Sequence, residues 1–336
     1  MKYLAVGDIH IDLSNRMYDI QLALMKTANL AVCKGVDKVL FLGDAFTSRR
    51  PYPEEYNVFY EWVADLVKNN IEVVILKGNH DIQRDASTLD VFEKLRSLSG
   101  GMDKIRVVES GHIEDGKIFM GHFILKEAAV GPANIHIPNS VTTQQLLTRY
   151  ATAKLFLLGD IHKPQQLNVN PPVYYLGSIE RNNFGERENE PRVLYIDFDG
   201  DDLKLENIES IPLNGRPMIQ VNLSAKSDVL SGDFKKFPNN FKDAVVKAVI
   251  SGTDEELAGI DMAALREFFM GAHSLTIQYD IARKGLVRDS GAVVSVSEED
   301  ALHNYLYVKR GDLNGAVRER ALVVGKEIIT KIREVS

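Results

Sequence analysis

Val73-Val74-Ile75-Leu76-Lys77-Gly78-Asn79-His80-Asp81 sets an apolar run against a glycine and three residues able to bind metal, carry protons or orient a neighbour. That is the pattern of a β-strand presenting polar side chains at its C-terminal edge. The same order recurs after Lys2–Val6, as Gly7-Asp8-Ile9-His10, and after Val39–Leu42, as Gly43-Asp44. It returns after Ile118–Met120, as Gly121-His122, and after Leu155–Leu158, as Gly159-Asp160-Ile161-His162. A lone Asp-x-His is more often a turn or a surface pair. Five strand ends built alike form a constellation.

Amphipathic helical patterns separate these ends: Ile20 to about Gly35, Glu54 to Lys68, Ser87 to Leu98, and Thr142 to Ala151. A Gly-, Pro- and Asn-rich loop spans Gly131–Asn139. Strands alternate with helices to residue 160. Strands alone follow at Val173–Leu176 and Val193–Phe198, closed by a turn at Asp199-Gly200-Asp201. This specifies an α/β domain over residues 1–208 with its sheets at the centre. Residues 209–285 read as a small α+β unit without the ligand pattern. It has a strand at Met218–Leu223, a helix or strand at Phe241–Val249, a helix at Leu257–Phe269 and an alternating strand at Ser274–Asp280. Residues 286–336 read as a helical tail, starting at Ser297–Asp300 and broken at Gly311-Asp312. Leu302, Tyr305 and Leu306 lie on its first helix; Leu313, Val317, Val324, Ile328 and Ile332 share a face of its last. Terminal helices of this kind need a burial partner, either the chain's own second domain or another protein.

Composition narrows the classes. Apolar content of 45% and charged content of 26% in 336 residues are those of a globular protein of about two domains. The single cysteine, Cys33, excludes a disulfide framework and a Cys-rich zinc site, and its helical setting predicts a small buried side chain. Gly7-Asp8 interrupts the apolar start too soon for a secretory signal, and no run approaches a membrane span. The expectation is a cytoplasmic, reducing compartment and no membrane. A net charge of −7 argues against coating nucleic acid by bulk electrostatics, though metal ions or a basic partner can neutralise phosphates locally.

The strand ends contribute Asp8, His10, Asp44, Asn79, His80, His122, Asp160 and His162. Oxygen ligands mixed with imidazoles suit Mn²⁺, Fe²⁺ or Zn²⁺. The set is too large for one tetrahedral ion and suits two ions sharing a carboxylate, the arrangement that clamps both oxygens of a phosphoryl transfer. Arg49, Arg50 and Lys77 adjoin these loops, as phosphate contacts or as solvated charge; Lys163-Pro164 is equally ambiguous. His112, His136, His273 and His303 lack the strand–glycine context and are assigned to surface or satisfied core positions.

Taken together, Asp8-Ile9-His10, Gly43-Asp44, Gly78-Asn79-His80-Asp81, Gly121-His122 and Gly159-Asp160-Ile161-His162 resemble the signature of calcineurin-like metallophosphoesterases. Two longer strings, Gly43-Asp44-Ala45-Phe46-Thr47-Ser48-Arg49-Arg50-Pro51 and Gly177-Ser178-Ile179-Glu180-Arg181-Asn182-Asn183-Phe184-Gly185-Glu186, resemble SbcD-type nucleases, the family of the meiotic-recombination-11 DNA-repair nuclease. The resemblance covers residues 1 to about 200 and implies a β-sandwich flanked by helices, a DNA-facing cap and a tail that docks on the coiled-coil base of an SbcC-type ATPase. A homodimer within a heterotetramer belongs to the same layout. It also implies two divalent ions, Mn²⁺ first and Mg²⁺ as the alternative. Asp8, His10 and His162 would hold one; Asn79, His122 and Asp160 the other; Asp44 would bridge. His80 would protonate the departing 3′-oxygen of DNA, oriented by Asp81. The chain has no phosphate-cradling Gly-x-x-x-x-Gly-Lys-Ser/Thr loop, so an ATP-driven step would fall to the partner.

Two departures matter. Asp160 stands where the family usually has His, which lowers the site's net charge and predicts an altered metal preference. Thr47 stands where relatives commonly have His, which bears on exonuclease against endonuclease action. A phosphatase or small-nucleotide phosphodiesterase on the same fold, and an inactive scaffold for an ATPase, are the rival readings.

Overall fold

Neighbouring residues of a strand point to opposite faces, so a run that is apolar at every position needs cover on both sides. The computed structural model describes residues 1–84, 86–98, 103–131, 135, 137, 140–198, 207–237, 240–281, 302 and 319–325, and it supplies that cover. The first sheet joins β1 (Lys2–Val6), β2 (Lys38–Phe41), β3 (Glu72–Leu76) and β6 (Ile105–Val108) in parallel. β12 (Arg192–Asp197) and β13 (Ile208–Pro212) add antiparallel beyond β1, which carries the sheet past the boundary expected at residue 208. The second sheet runs β10 (Gln165–Leu167), β11 (Val173–Tyr175), β9 (Leu155–Gly159), β8 (Ile118–His122), β7 (His112–Glu114), parallel at its centre and antiparallel at both edges. Between β3 and β6, β4 (Ile82–Gln83) and β5 (Ala86–Ser87) pair as a short ribbon.

Alternate residues of each run divide between layers. Leu40, Leu42, Val74 and Leu76 meet Met120, Leu155 and Leu157 between the two sheets. Val39, Phe41, Val73 and Ile75 face outward into a core shared with α1 (Met17–Lys34), α2 (Pro53–Lys68) and Phe92 of α3 (Asp90–Leu98). On the far side, Phe119, Phe156 and Leu158 pack with Leu146 of α4 (Thr143–Arg149). The result is a helix-flanked β-sandwich. Its period-2 burial makes each buried Leu or Phe worth about 2 kcal/mol of transfer free energy.

Local chemistry sets the helix ends. The α4 start is a reciprocal cap: Thr142 Oγ1 accepts from the Gln145 backbone N–H at 3.2 Å, and Gln145 Oε1 accepts from the Thr142 N–H at 2.9 Å. α3 begins at Asp90 rather than at Ser87, because Ser87 is paired in β5 and its N–H donates to Asp90 Oδ2 at 2.9 Å. Cys33, expected to be buried, lies on the exposed face of α1.

A second core belongs to a parallel three-stranded sheet of β14 (Met218–Ser224), β15 (Val245–Gly252) and β16 (Ser274–Ile281). The ambiguous 241–249 stretch is a strand from Val245, as its β-branched residues favour. The helix expected at 257–269 is two, α5 (Asp254–Ala258) and α6 (Met262–Phe268). The Asp261 side chain accepts from the Ala263 and Ala264 N–H groups at 2.8 and 3.4 Å and so starts a new helix.

Residues 283–336 form a separate unit. Within it, residues 319–325 are helical, Val324 is exposed, and Leu302 lies where a Cβ on Gly325 would fall. Tyr305, Leu306, Leu313, Val317, Ile328 and Ile332 lie outside the described residues, as do His136, His303, Ser297–Asp300, Gly311-Asp312, the Asp199–Asp201 turn beyond its strand and most of the 131–139 loop. Among the described residues no helix is long and apolar enough to cross a membrane.

Candidate metal centre

The C-terminal edges of both sheets meet in one cleft. β1, β2 and β3 deliver Asp8 and His10, Asp44, and Asn79 and His80; β8 and β9 deliver His122, and Asp160 and His162. Two groups of potential ligands converge, Asp8–His10–His162 and Asp8–Asp44–His122, and Asp8 belongs to both. Asp44 also lies between them, with Oδ2 3.5 Å from His10 Nε2 and 3.3 Å from His122 Nε2. Asn79 places its side-chain amide 3.1 Å from His122 Nε2, and with its nitrogen turned inward it donates to both Asp44 oxygens. Asp160 stands at the rim, its Oδ1 4.0 Å from His122 Nε2 and its N–H donating to Asp8 Oδ1 at 3.0 Å.

Glycine permits this proximity. A Cβ on Gly78 would lie 2.1 Å from Asp44 Oδ1, and one on Gly43 would lie 2.7 Å from His122 Nδ1. Gly43 also has φ +95°, whereas Gly78 is needed for close approach alone.

The imidazoles are aimed by their other nitrogens. His122 Nδ1 donates to the Leu42 carbonyl at 2.7 Å, and His162 Nδ1 faces Glu186 Oε1 at 2.9 Å, so both present Nε2 to the cleft. His10 and His162 bring their Nε2 atoms to 2.9 Å from each other. Asp8 is fully buried, and its Oδ2 has no hydrogen-bond partner. A buried carboxylate oxygen without a donor is costly, and so are two opposed ring nitrogens unless a proton or a cation lies between them. The donor set therefore fits divalent metal.

Charge states follow the surroundings. Burial, with His162 opposite, lowers His10 to about 3, so this ring is neutral at neutral pH. Burial also opposes the charge on His122, but the hydrogen bond to Asp44 and the field of Asp8 raise it to about 9. Burial raises the Asp8 and Asp160 carboxyls above the ordinary range.

His80 and Asp81 differ from the expected pair. Asp81 is fully buried, and its carboxylate accepts from the Gly78, Asp44 and Ala45 backbone N–H groups at 2.9, 2.8 and 3.0 Å. It ties the β2 and β3 loops together. His80 Nδ1 lies instead 2.8 Å from the Thr47 carbonyl, so that backbone oxygen, not Asp81, orients the ring. A peptide carbonyl is silent in a motif, so no sequence signal pointed to it. Glu186 was visible, as the last residue of the longer string, but carried no assigned role. Burial pushes Asp81 up to about 7 against its three amide donors.

The basic residues also sort differently. Lys77 is engaged by Asp90 and Glu109 at 2.9 and 2.6 Å, which removes it as a ready phosphate contact. Arg50 donates to the Gln83 amide oxygen when that group is turned towards it, and Arg49 is exposed. A cavity of about 610 Å³ borders the centre, lined by Asp160, His162, Lys163, Asn183, Glu186 and Arg187.

The chain is similar to known proteins in ways that follow this geometry. The profile described as calcineurin-like phosphoesterase matches residues 1–195. A protein named DNA double-strand break repair protein Mre11 from Methanocaldococcus jannaschii is 24% identical over 64% of this chain and 65% of its own length. Its namesakes from Methanosarcina mazei and Halobacterium salinarum are 22% and 26% identical, over 75% and 96% of this chain and 44% and 92% of theirs. The match thus spans less than two thirds of the first two relatives.

Proposed function

The chain belongs to the calcineurin-like phosphoesterase family, and from that premise we propose that it is a two-metal nuclease that hydrolyses DNA phosphodiester bonds as the nuclease subunit of an SbcCD-like repair complex. One observation carries the metal chemistry: the opposed Nε2 atoms of His10 and His162 beside an unpartnered, buried Asp8 oxygen. The names of the archaeal relatives and the two longer strings support the DNA substrate.

Asp8, His10 and His162 would hold one ion, Asn79, His122 and Asp160 the other, with Asp44 between them. When bound, divalent ions supply Lewis acidity, acidifying water and offsetting phosphoryl charge. The mixed imidazole–oxygen set favours Mn²⁺ over Mg²⁺. Thr47 holds the His80 Nδ1–H, which leaves Nε2 as the nitrogen able to give a proton to the departing 3′-oxygen. In this reading residues 209–285 form a DNA-facing cap and 286–336 dock an SbcC-type ATPase, within a complex that pairs two copies of each subunit.

The test is cleavage of linear duplex and of single-stranded DNA with Mn²⁺ or Mg²⁺, beside an aryl phosphodiester. His80→Ala should lower DNA cleavage by about 10²–10⁴-fold, the usual share of a general acid, and retain Mn²⁺ binding. Turnover of the aryl ester without DNA cleavage would identify a small-molecule phosphodiesterase instead. An inert chain that still binds an ATPase would identify a scaffold.

A further inference from the structure

The connection after β11, residues 178–189, supplies no candidate ligand yet holds one of them at three points. Glu186 Oε1 accepts from His162 Nδ1 at 2.9 Å; Asn189 Nδ2 and the Ser178 N–H donate to the His162 carbonyl at 3.1 and 3.3 Å. Glu186 is itself fixed, buried and accepting from the Asn182 N–H and Asn183 Nδ2 at 2.8 Å each.

The same connection grips the path to the smaller sheet. Arg181 Nε donates to the Asn189 carbonyl at 2.8 Å, while its Nη1 donates to the Arg216 carbonyl at 3.2 Å. Arg216 lies in the link between β13 and β14. Its guanidinium forks onto Asp19 of α1 at 2.9–3.1 Å and pairs with Asp243, just before β15. Lys26 of α1 donates to the Leu213 carbonyl of that link at 2.9 Å. One guanidinium is therefore shared between the residue that holds His162 and the link that carries the β14–β16 unit.

We infer that residues 178–189 are a brace through which the placement of the β14–β16 unit sets His162, with Arg181 as the joint and Glu186 as the positioning residue for the ring. The inference rests on the reading of His162 as a metal ligand. The planar fork of arginine is directional and charge-assisted, so it transmits position where a lysine would not. A carboxylate behind a ligating imidazole fixes both tautomer and ring angle, and removing such a partner usually costs 10–100-fold in metal affinity. The brace also touches Asp8, through the backbone alone, the Ile179 N–H donating to the Asp8 carbonyl at 3.1 Å. Its side-chain contacts go to His162, so the effect should fall mainly on the ion that His162 would hold. Linkage makes the coupling reciprocal: metal at His162 must steady the 213–217 link by the same factor.

The experiment titrates the metal-free full chain with Mn²⁺ by calorimetry and reads hydrogen exchange at 213–217 with and without Mn²⁺. Arg181→Ala and Glu186→Ala should weaken one of two ions by about tenfold and leave the other within about twofold. Glu186→Gln, which keeps an acceptor for His162 Nδ1–H, should recover most of the loss. Mn²⁺ should slow exchange at the link in the parent and not in Arg181→Ala. Parent-like binding of both ions by Arg181→Ala, with the protection intact, overturns the brace. His162→Ala separates the two readings. If it binds both ions normally, the ligand assignment fails; if it loses one while Arg181→Ala and Glu186→Ala lose neither, only the brace fails. Should Arg181→Ala not fold, Arg216→Ala frees the same link from its other side and is judged by the same outcomes.

Discussion

His10, Asp44 and Asp160 have φ angles of 52°, 58° and 81°, left-handed conformations that side-chain-bearing residues seldom adopt. Each costs on the order of 1–3 kcal/mol and persists only where the surroundings impose it. Here the Asp44 carbonyl accepts from the Ile9 and His10 N–H groups at 3.1 and 3.0 Å, and Asp8 holds the Asp160 N–H. The strain falls on residues of the candidate centre. Asp160 gives that centre a third carboxylate beside Asp8 and Asp44, leaving roughly +1 when two divalent ions bind. Asp160→His should therefore shift the Mn²⁺-to-Mg²⁺ activity ratio; matching metal profiles for variant and parent would reduce Asp160 to a neutral exchange of ligand. His122 supplies a pH prediction. Raised from 6.5 to about 9 in the metal-free chain, its charged form stabilises the fold fully below pH 6.5, and that contribution is lost as pH rises through 9. The metal-free Tm should fall across that window. Metal needs the neutral ring, so calorimetry in buffers of different ionisation enthalpy should show proton release on Mn²⁺ binding at pH 7. Absence of release would place His122 outside the ligand set.

At the scale of elements, the edge of the sandwich opposite the centre is closed by charge. Glu114 of β7, with a side chain only 1% exposed, meets Lys38 of β2 and Arg106 of β6 at 2.6 Å each, and His112 at 2.8 Å. Lys38 and Arg106 extend the ladder to Glu72 and Asp115. These contacts pin the second sheet to the first where β2, β3 and β6 begin, while the candidate ligands lie at the ends where the central strands finish. Burial works against the Glu114 charge, but its three donors hold the carboxyl down at about 2. That lowering is a stabilisation present above pH 4.5 and lost as pH falls through 2, worth about 3 kcal/mol. Glu114→Gln should cost about 3 kcal/mol in urea unfolding at pH 7, because Lys38 and Arg106 lose the buried carboxylate they share and keep only the more exposed Glu72 and Asp115. A cost under about 1 kcal/mol would mean that the ladder is solvated. None of this was legible in the sequence. Lys38, Arg106 and Glu114 belong to three separate runs, and only strand order brings them together.

Across the whole molecule, a net charge of −7 and the pairing of Lys77 with two carboxylates argue against strong displacement of counterions from DNA. Each neutralised phosphate contributes about −0.9 to the slope of log K against log salt, so the isolated chain should show a slope no steeper than about −2. A slope near −6 would show that the chain concentrates basic charge on one DNA-binding surface despite its acidic balance. The sequence by itself determined the doubly covered strands and the polar residues at their glycine-closed ends. Apolar runs ending in glycine need cover on both faces and can present polar side chains only at one edge, and both constraints are local. It also set the family expectation, through residues 1 to about 200. What only the tertiary structure decided was which partner holds which ring: Thr47 rather than Asp81 behind His80, Glu186 behind His162, and Arg181 between His162 and the smaller sheet. Those contacts join backbone carbonyls and side chains far apart in the chain, and no spacing rule encodes them until the strands are laid side by side.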